Sequence, residues 1–350
     1  MGKTKWTGYA GTYTKGASEG IYTFTLNTEK KQIEDVKVAA KLDNPTYLNI
    51  TADNRNLYAV VKEGSQGGVA AFSIDAESGA LTELNRQLSG GASPCHVSVD
   101  SAKKTVVSAN YHNGTVSAYL TNEDGSLQPA ASVIEHTGSG PNPERQEKPH
   151  VHFAGFTPDE KYVVAVDLGN DTITTYAHDG GKLTEKAALS VRPGSGPRHL
   201  AFHPDRKFAY CMTELSNEVI VLEFDETSGT FKDVQYIKTI PEDFTENSQG
   251  SAIHLSSDGR FVYAANRGHD SIAVFAVGPD GKLSLVEYTS TEGSWPRDFV
   301  LDPTEKFIVA ANQESGTLVL YARDPETGIL TLLQKDVPVP EAVCVKFLHG

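Results

Sequence analysis

Gly196-Pro197-Arg198-His199-Leu200-Ala201-Phe202-His203-Pro204-Asp205 and Trp295-Pro296-Arg297-Asp298-Phe299-Val300-Leu301-Asp302-Pro303 are two copies of one pattern. Each leads into an apolar strand that ends in a polar turn. Counted back from that strand, the leading position recurs at Pro45, Pro94, Val151, Pro197, Gly250, Pro296 and Pro340, at spacings of 44 to 57 residues. A repeat of that length, made of short strands, predicts a β-propeller.

Within residues 198 to 239 the pattern reads as four strands, over His199–Phe202, Phe208–Met212, Val219–Phe224 and Phe231–Ile237, which is one blade. The turn between third and fourth strands returns as Glu77-Ser78-Gly79, Glu123-Asp124-Gly125, His178-Asp179-Gly180, Glu226-Thr227-Ser228-Gly229, Pro279-Asp280-Gly281 and Glu326-Thr327-Gly328. Each supplies a glycine for the positive φ of a tight hairpin. No stretch sustains a 3.6-residue period, so an all-β fold is expected. Residues 6–14, 20–26 and 33–40 read as the second, third and fourth strands of a blade without its innermost strand, which the stretch from Pro340 supplies. Six whole repeats and one blade shared between the ends predict a seven-bladed propeller in one domain spanning 1–350, with no open edge.

Bulk properties narrow the function. A formal charge of −14 argues against general attraction to nucleic acid or anionic lipid, while leaving room for a local basic pocket and a small anionic substrate. The opening residues carry no apolar core of a signal peptide and no 18 apolar residues run together, so a cytoplasmic protein with no membrane partner is expected. Cys95, Cys211 and Cys344 lack metal-site spacing and read as buried thiols. The sequence carries no sign of oligomeric state.

Meander topology sends the connection into each innermost strand and the turn after each second strand to the same end of the central channel. One column there reads Thr46, Cys95, His152, Arg198, Ser251, Arg297 and Glu341, and the next reads Tyr47, His96, Phe153, His199, Ala252, Asp298 and Ala342. The turn column reads Lys62, Tyr111, Leu168, Glu214, Arg267 and Gln313. A ring that only needed shape has no reason to vary in charge from blade to blade, so this mouth is the expected ligand site. Two long connections, Glu135 to Lys148 and Pro241 to Gln249, widen the same face.

The run Asn142-Pro143-Glu144-Arg145-Gln146-Glu147-Lys148-Pro149-His150-Val151-His152, the segment from Pro197 to Pro204, Glu214 with Asn217, and Asn266-Arg267-Gly268-His269-Asp270-Ser271-Ile272 closely resemble the seven-bladed propeller lactonase family. That family includes bacterial propeller-type 6-phosphogluconolactonases and fungal carboxymuconate lactonizing enzymes. The resemblance spans the chain and implies lactone chemistry without a metal or other cofactor. It implies hydrolysis of a sugar lactone, 6-phosphogluconolactone to 6-phosphogluconate in the pentose phosphate route. Carried over by position, it implies the active-site histidine at the His150/His152 pair and the family's arginines and glutamate at Arg198, Arg267 and Glu214.

Lactone hydrolysis needs a base for water, donors for the oxyanion and cations for the substrate's anionic group. His152 is the favoured base because imidazole titrates near neutrality, with Glu214 orienting it or replacing it and His150 pointing the same way at i−2. Arg198, Arg267 and Arg297 are the expected anion binders, His199 a further substrate contact in the channel lining, and Arg145 a residue of the insert that closes over the substrate. A His-x-His pair without a matched third ligand gives no metal site. Two other readings use the same features: a muconate-type lactonizing cycloisomerase, and a non-enzymatic propeller scaffold, which would call for an apolar or featureless mouth.

Overall fold

The computed structural model describes residues 2–350, and they contain strands and turns without a helix. Twenty-eight strands form seven four-stranded antiparallel sheets. The blade from which the pattern was read holds β16 (Pro197–Phe202), β17 (Phe208–Thr213), β18 (Glu218–Asp225) and β19 (Thr230–Lys238), within a residue or two of the expected limits. The third strand β18 is buried from Glu218 to Leu222 because neighbouring blades cover both its faces, whereas the outermost β19 holds only exposed and half-buried residues because its edge meets water.

Closure is by the shared blade. β28 (Ala342–Phe347) pairs antiparallel with β1 (Lys5–Thr12), followed outward by β2 (Gly20–Asn27) and β3 (Gln32–Lys41). Innermost strands of successive blades adjoin around the ring, including β28 against β4 (Leu48–Ile50) of the next blade. Val345 and Phe347 are buried with Phe24, Leu26 and Phe307, so the seam is a hydrophobic core and no sheet edge is left open there.

A repeated latch ties blade to blade. The second-strand phenols of Tyr9, Tyr58, Tyr210 and Tyr263 donate to the carbonyls of Gly79, Gly125, Gly281 and Gly328 in the outer turn of the following blade, at 2.5, 2.7, 2.7 and 2.8 Å. Those four glycines have φ between 71° and 92°. The turn residue that the hairpin demands thus also exposes the carbonyl that the buried phenol needs.

Candidate active site

The innermost strands do not enter the channel as regular strands. In β12 (Val151–Phe156) Val151 pairs with Asp167 and Phe153 with Val166, leaving His152 as an extra residue. The same jump falls at Arg198, between the pairs Pro197–Thr213 and His199–Met212, and at Arg297, between Pro296–Asn312 and Asp298–Ala311. Each is a one-residue β-bulge, a device that re-aims a side chain at a strand end. The bulge also breaks the alternation on which the His150/His152 pairing rested. His152 borders the channel cavity, whereas His150 lies outside β12 with Nδ1 2.8 Å from the Tyr111 carbonyl, Nε2 2.9 Å from Glu147 and its ring stacked on Tyr111.

The cavity at this mouth has a volume of about 520 Å³ and is bordered by members of both loop columns, among them Thr46, Cys95, His152 and Arg297 from one and Lys62, Tyr111, Glu214 and Arg267 from the other. The two sets of loops therefore share one end, as the meander requires.

Glu214 is the electrostatic centre. Arg267 donates from Nη2 to its Oε1 at 2.6 Å and Arg145 donates to its Oε2. Arg198 Nε sits 3.2 Å from Oε1, near enough for an ion pair but not aligned as a hydrogen bond. Burial alone would push the Glu214 carboxyl up, but Arg267, Arg198 and Arg145 outweigh it and hold the carboxyl well below the usual carboxylate range. Arg198 is fully buried behind this carboxylate and anchored to the Ser251 carbonyl at 2.7 Å. Burial, then the charges of Arg267 and Arg297, bring its guanidinium down to about 9. It does not border the cavity, so the expectation that it meets the substrate's anion gives way to a role as counterion to Glu214.

Beneath the mouth, the second column forms an aromatic floor. His152 Nδ1 lies 3.2 Å from His199 Nε2, and the rings of Tyr47, His96, Phe153 and His199 pack with centroids 4.3 to 6.0 Å apart. His199 is thus one layer below the cavity wall and touches His152 rather than the open space, contrary to its expected substrate contact. Burial, then the Arg198 charge, pushes His152 and His199 well below the ordinary imidazole value, and burial with Lys346 does the same for His96. All three are neutral at neutral pH.

The first insert earns its length by placing Arg145. Gln146, fully buried, donates to the Leu168 carbonyl at 2.9 Å and to Asp171 Oδ1 at 2.8 Å, which folds the segment down with Arg145 over Glu214. The second insert contributes Gln249 to the wall. Sequence reading missed Tyr13, whose hydroxyl accepts from Arg297 Nη1 at 3.1 Å and whose phenol is held below its ordinary value by that charge. It follows β1, the second strand of the shared blade, so extending the Lys62–Tyr111–Glu214 column across the split would have found it. Lys15, Asn44, Ser65 and Ser93 also border the cavity from loops outside any aligned column. Among the described residues, no group of three or more His, Cys, Asp or Glu is placed to hold a metal ion, and no helix is long and apolar enough to cross a membrane.

The seven-bladed ring agrees with the family described as "Lactonase, 7-bladed beta-propeller", whose model matches residues 7–347. The chain belongs to that family. Among its relatives is the 6-phosphogluconolactonase of Bacillus subtilis (strain 168), 61% identical over 99% of each chain. Among solved structures, a putative 6-phosphogluconolactonase from Bacteroides fragilis superposes with a TM-score of 0.91 at 37% identity, covering 99% of this chain and 98% of that one. The periplasmic gluconolactonase of Pseudomonas aeruginosa superposes with a TM-score of 0.93 at 33% identity, covering 98% and 99%.

Proposed function

We propose that this protein hydrolyses the ring ester of a sugar lactone, with 6-phosphogluconolactone as its substrate and the open-chain 6-phosphogluconate as product. The observation that carries this reading is the neutral His152 imidazole bordering a cup whose charged side chains are five cations, Lys15, Lys62, Arg145, Arg267 and Arg297, and one carboxylate, Glu214. A protein with a formal charge of −14 has concentrated positive charge where an anionic ester would sit. The names of the Bacillus subtilis and Bacteroides fragilis relatives support the same substrate.

In this mechanism His152 takes a proton from water through Nε2 while the water oxygen adds to the lactone carbonyl. Arg145 and Arg267 face the oxyanion of the tetrahedral intermediate. The ring C–O bond then breaks, and the leaving oxygen regains the proton from His152, so one water is consumed and one hydroxy acid released. Glu214, held ionised by its guanidiniums, keeps Arg145 and Arg267 in place. His150, buried against Tyr111 and Glu147, has no part in the proton transfer.

A phosphorylated lactone does not cross membranes, which favours the cytosol for this activity. The three cysteines are unpaired thiols, as a reducing compartment would leave them. The test is consumption of freshly generated 6-phosphogluconolactone, corrected for spontaneous hydrolysis, by wild type and by His152→Ala. The reading requires wild-type turnover above background and a loss of about 100-fold or more in kcat for His152→Ala, on the scale of general-base contributions.

A further inference from the structure

Two of the three guanidiniums expected to bind the substrate's anionic group, Arg198 and Arg267, are already engaged, and so is Arg145 on the insert. Arg267 gives Nη2 to Glu214 and to the Gly250 carbonyl (2.8 Å) and Nε to the Gln249 carbonyl (3.4 Å), Arg145 bonds to Glu214 and Tyr111, and Arg198 lies behind the wall. Three cavity cations remain without any carboxylate within 4 Å: Arg297, whose partner is the Tyr13 hydroxyl, and the exposed Lys15 and Lys62.

Their seats are built into the fold. The Lys62 amide donates to the Asp43 carbonyl at 3.0 Å. One residue on, Asn44 receives the Thr14 amide at 2.9 Å and gives its own amide to the Thr14 hydroxyl at 3.1 Å. The loops carrying Lys15 and Lys62 are therefore fastened to the same two-residue step, and Asn44 itself borders the cavity. Asp43, the neighbouring acid, is held by the Thr14 hydroxyl at 2.6 Å and makes no ion pair with either lysine. The Lys15 ammonium rests 4.3 Å from the Tyr13 ring centroid, beside Arg297 on the same ring, so Tyr13 bridges the lysine side of the mouth to the guanidinium side.

We propose that Lys15 and Lys62, with Arg297, form the subsite that takes the terminal phosphate monoester of the substrate, on the wall contributed by the shared blade and its two neighbours. This rests on the lactonase reading above and adds what selects a phosphorylated lactone over a neutral one. Two flexible ammonium groups suit a phosphate at the end of a short chain, which needs charge more than a fixed fork, while Arg297 supplies the one directional contact. The ester then lies across the cavity toward His152 and the Glu214 cluster.

The test compares 6-phosphogluconolactone with unphosphorylated glucono-1,5-lactone for wild type, Lys15→Met, Lys62→Met and the double variant, each corrected for spontaneous hydrolysis. The expected result is a rise in KM for the phosphorylated lactone of about 10-fold for each single variant and about 100-fold for the double, with kcat within twofold and kcat/KM on the neutral lactone unchanged. A double variant that keeps the wild-type KM, or loses equally on both lactones, overturns the subsite. Wild type that turns over both lactones equally well also overturns the subsite but leaves lactone hydrolysis standing. Turnover of neither lactone by wild type overturns the lactonase reading itself and the subsite with it.

Discussion

His152 Nδ1 and His199 Nε2 face each other at 3.2 Å inside the channel, so one proton lies between two neutral rings. If His152 donates it, the His152 Nε2 lone pair is presented to the cavity as a base; if His199 donates it, Nε2 carries hydrogen and cannot accept one. The proposed proton transfer therefore requires His199 to accept. Replacing His199 by Phe should lower kcat by about 10- to 100-fold, the usual scale for losing an orienting partner, with KM little changed. His199→Gln, whose side-chain oxygen can accept the same proton, should recover part of the loss, and steady-state kinetics on the two variants reads this directly.

Glu214→Gln should unfold more readily as well as lose activity. The substitution leaves Arg198 and Arg267 buried without their counterion, and stranding a buried charge costs about 3–5 kcal/mol. Urea denaturation should show a lower midpoint at unchanged slope. An inactive variant with the wild-type midpoint would mean that the carboxylate works on the substrate alone.

Acidification should weaken the fold earlier than in an ordinary β protein. His96, His152 and His199 have folded-state values far below the 6.5 of free imidazole, so below that pH the unfolded chain takes up protons that the folded chain refuses. Stability then falls as pH drops, by up to about 1.4 kcal/mol per pH unit for each histidine. Glu214 adds to the loss below its ordinary 4.5, because its depressed folded value makes the charged form the stabilising one. Thermal melts from pH 7.5 to 5 should slope downward, and His96→Phe should flatten that slope.

Gly250 stands where five of the other six repeats carry proline, and the space explains it. A Cβ there would sit 2.1 Å from the Thr213 carbonyl oxygen and 2.5 Å from Met212 Cε, on the strand that leads directly to Glu214. The Gly250 amide and carbonyl also meet the Glu214 carbonyl and Arg267 Nη2, at 3.2 and 2.8 Å. Gly250→Ala should push Glu214 off its guanidiniums and reduce kcat/KM by about 10-fold or more, on the scale of an ångström-level misplacement, while lowering the melting temperature.

The propeller, its count of blades and its split closure were legible because each is written as a spacing, and spacing survives in a linear text. The site was legible in part for the same reason: His152, Glu214, Arg267 and Arg297 fall in repeating columns that the topology sends to one mouth. The placements that the sequence did not anticipate were matters of register and of charge compensation. A one-residue bulge at His152 separates it from His150, and nothing in a period of two announces it. Arg198 and His199 are adjacent in sequence to cavity residues but are spent on Glu214 and His152, a commitment visible only once blades are side by side. Lys15 and Asn44 come from the same two kinds of loop but stand outside the aligned columns, so the repeat does not single them out.

The seam between β28 and β1 has a consequence for how the molecule is born. During synthesis the opening three strands leave the ribosome without an inner neighbour and must wait for the closing one, roughly 20 to 70 seconds for a chain of 350 residues at ordinary elongation rates. Tyr13 and Arg297 lie 284 residues apart in the chain, so the part of the mouth they share is assembled late. An interrupted translation product would leave an unzipped edge for chaperones and proteases to find, and would not make a slower enzyme.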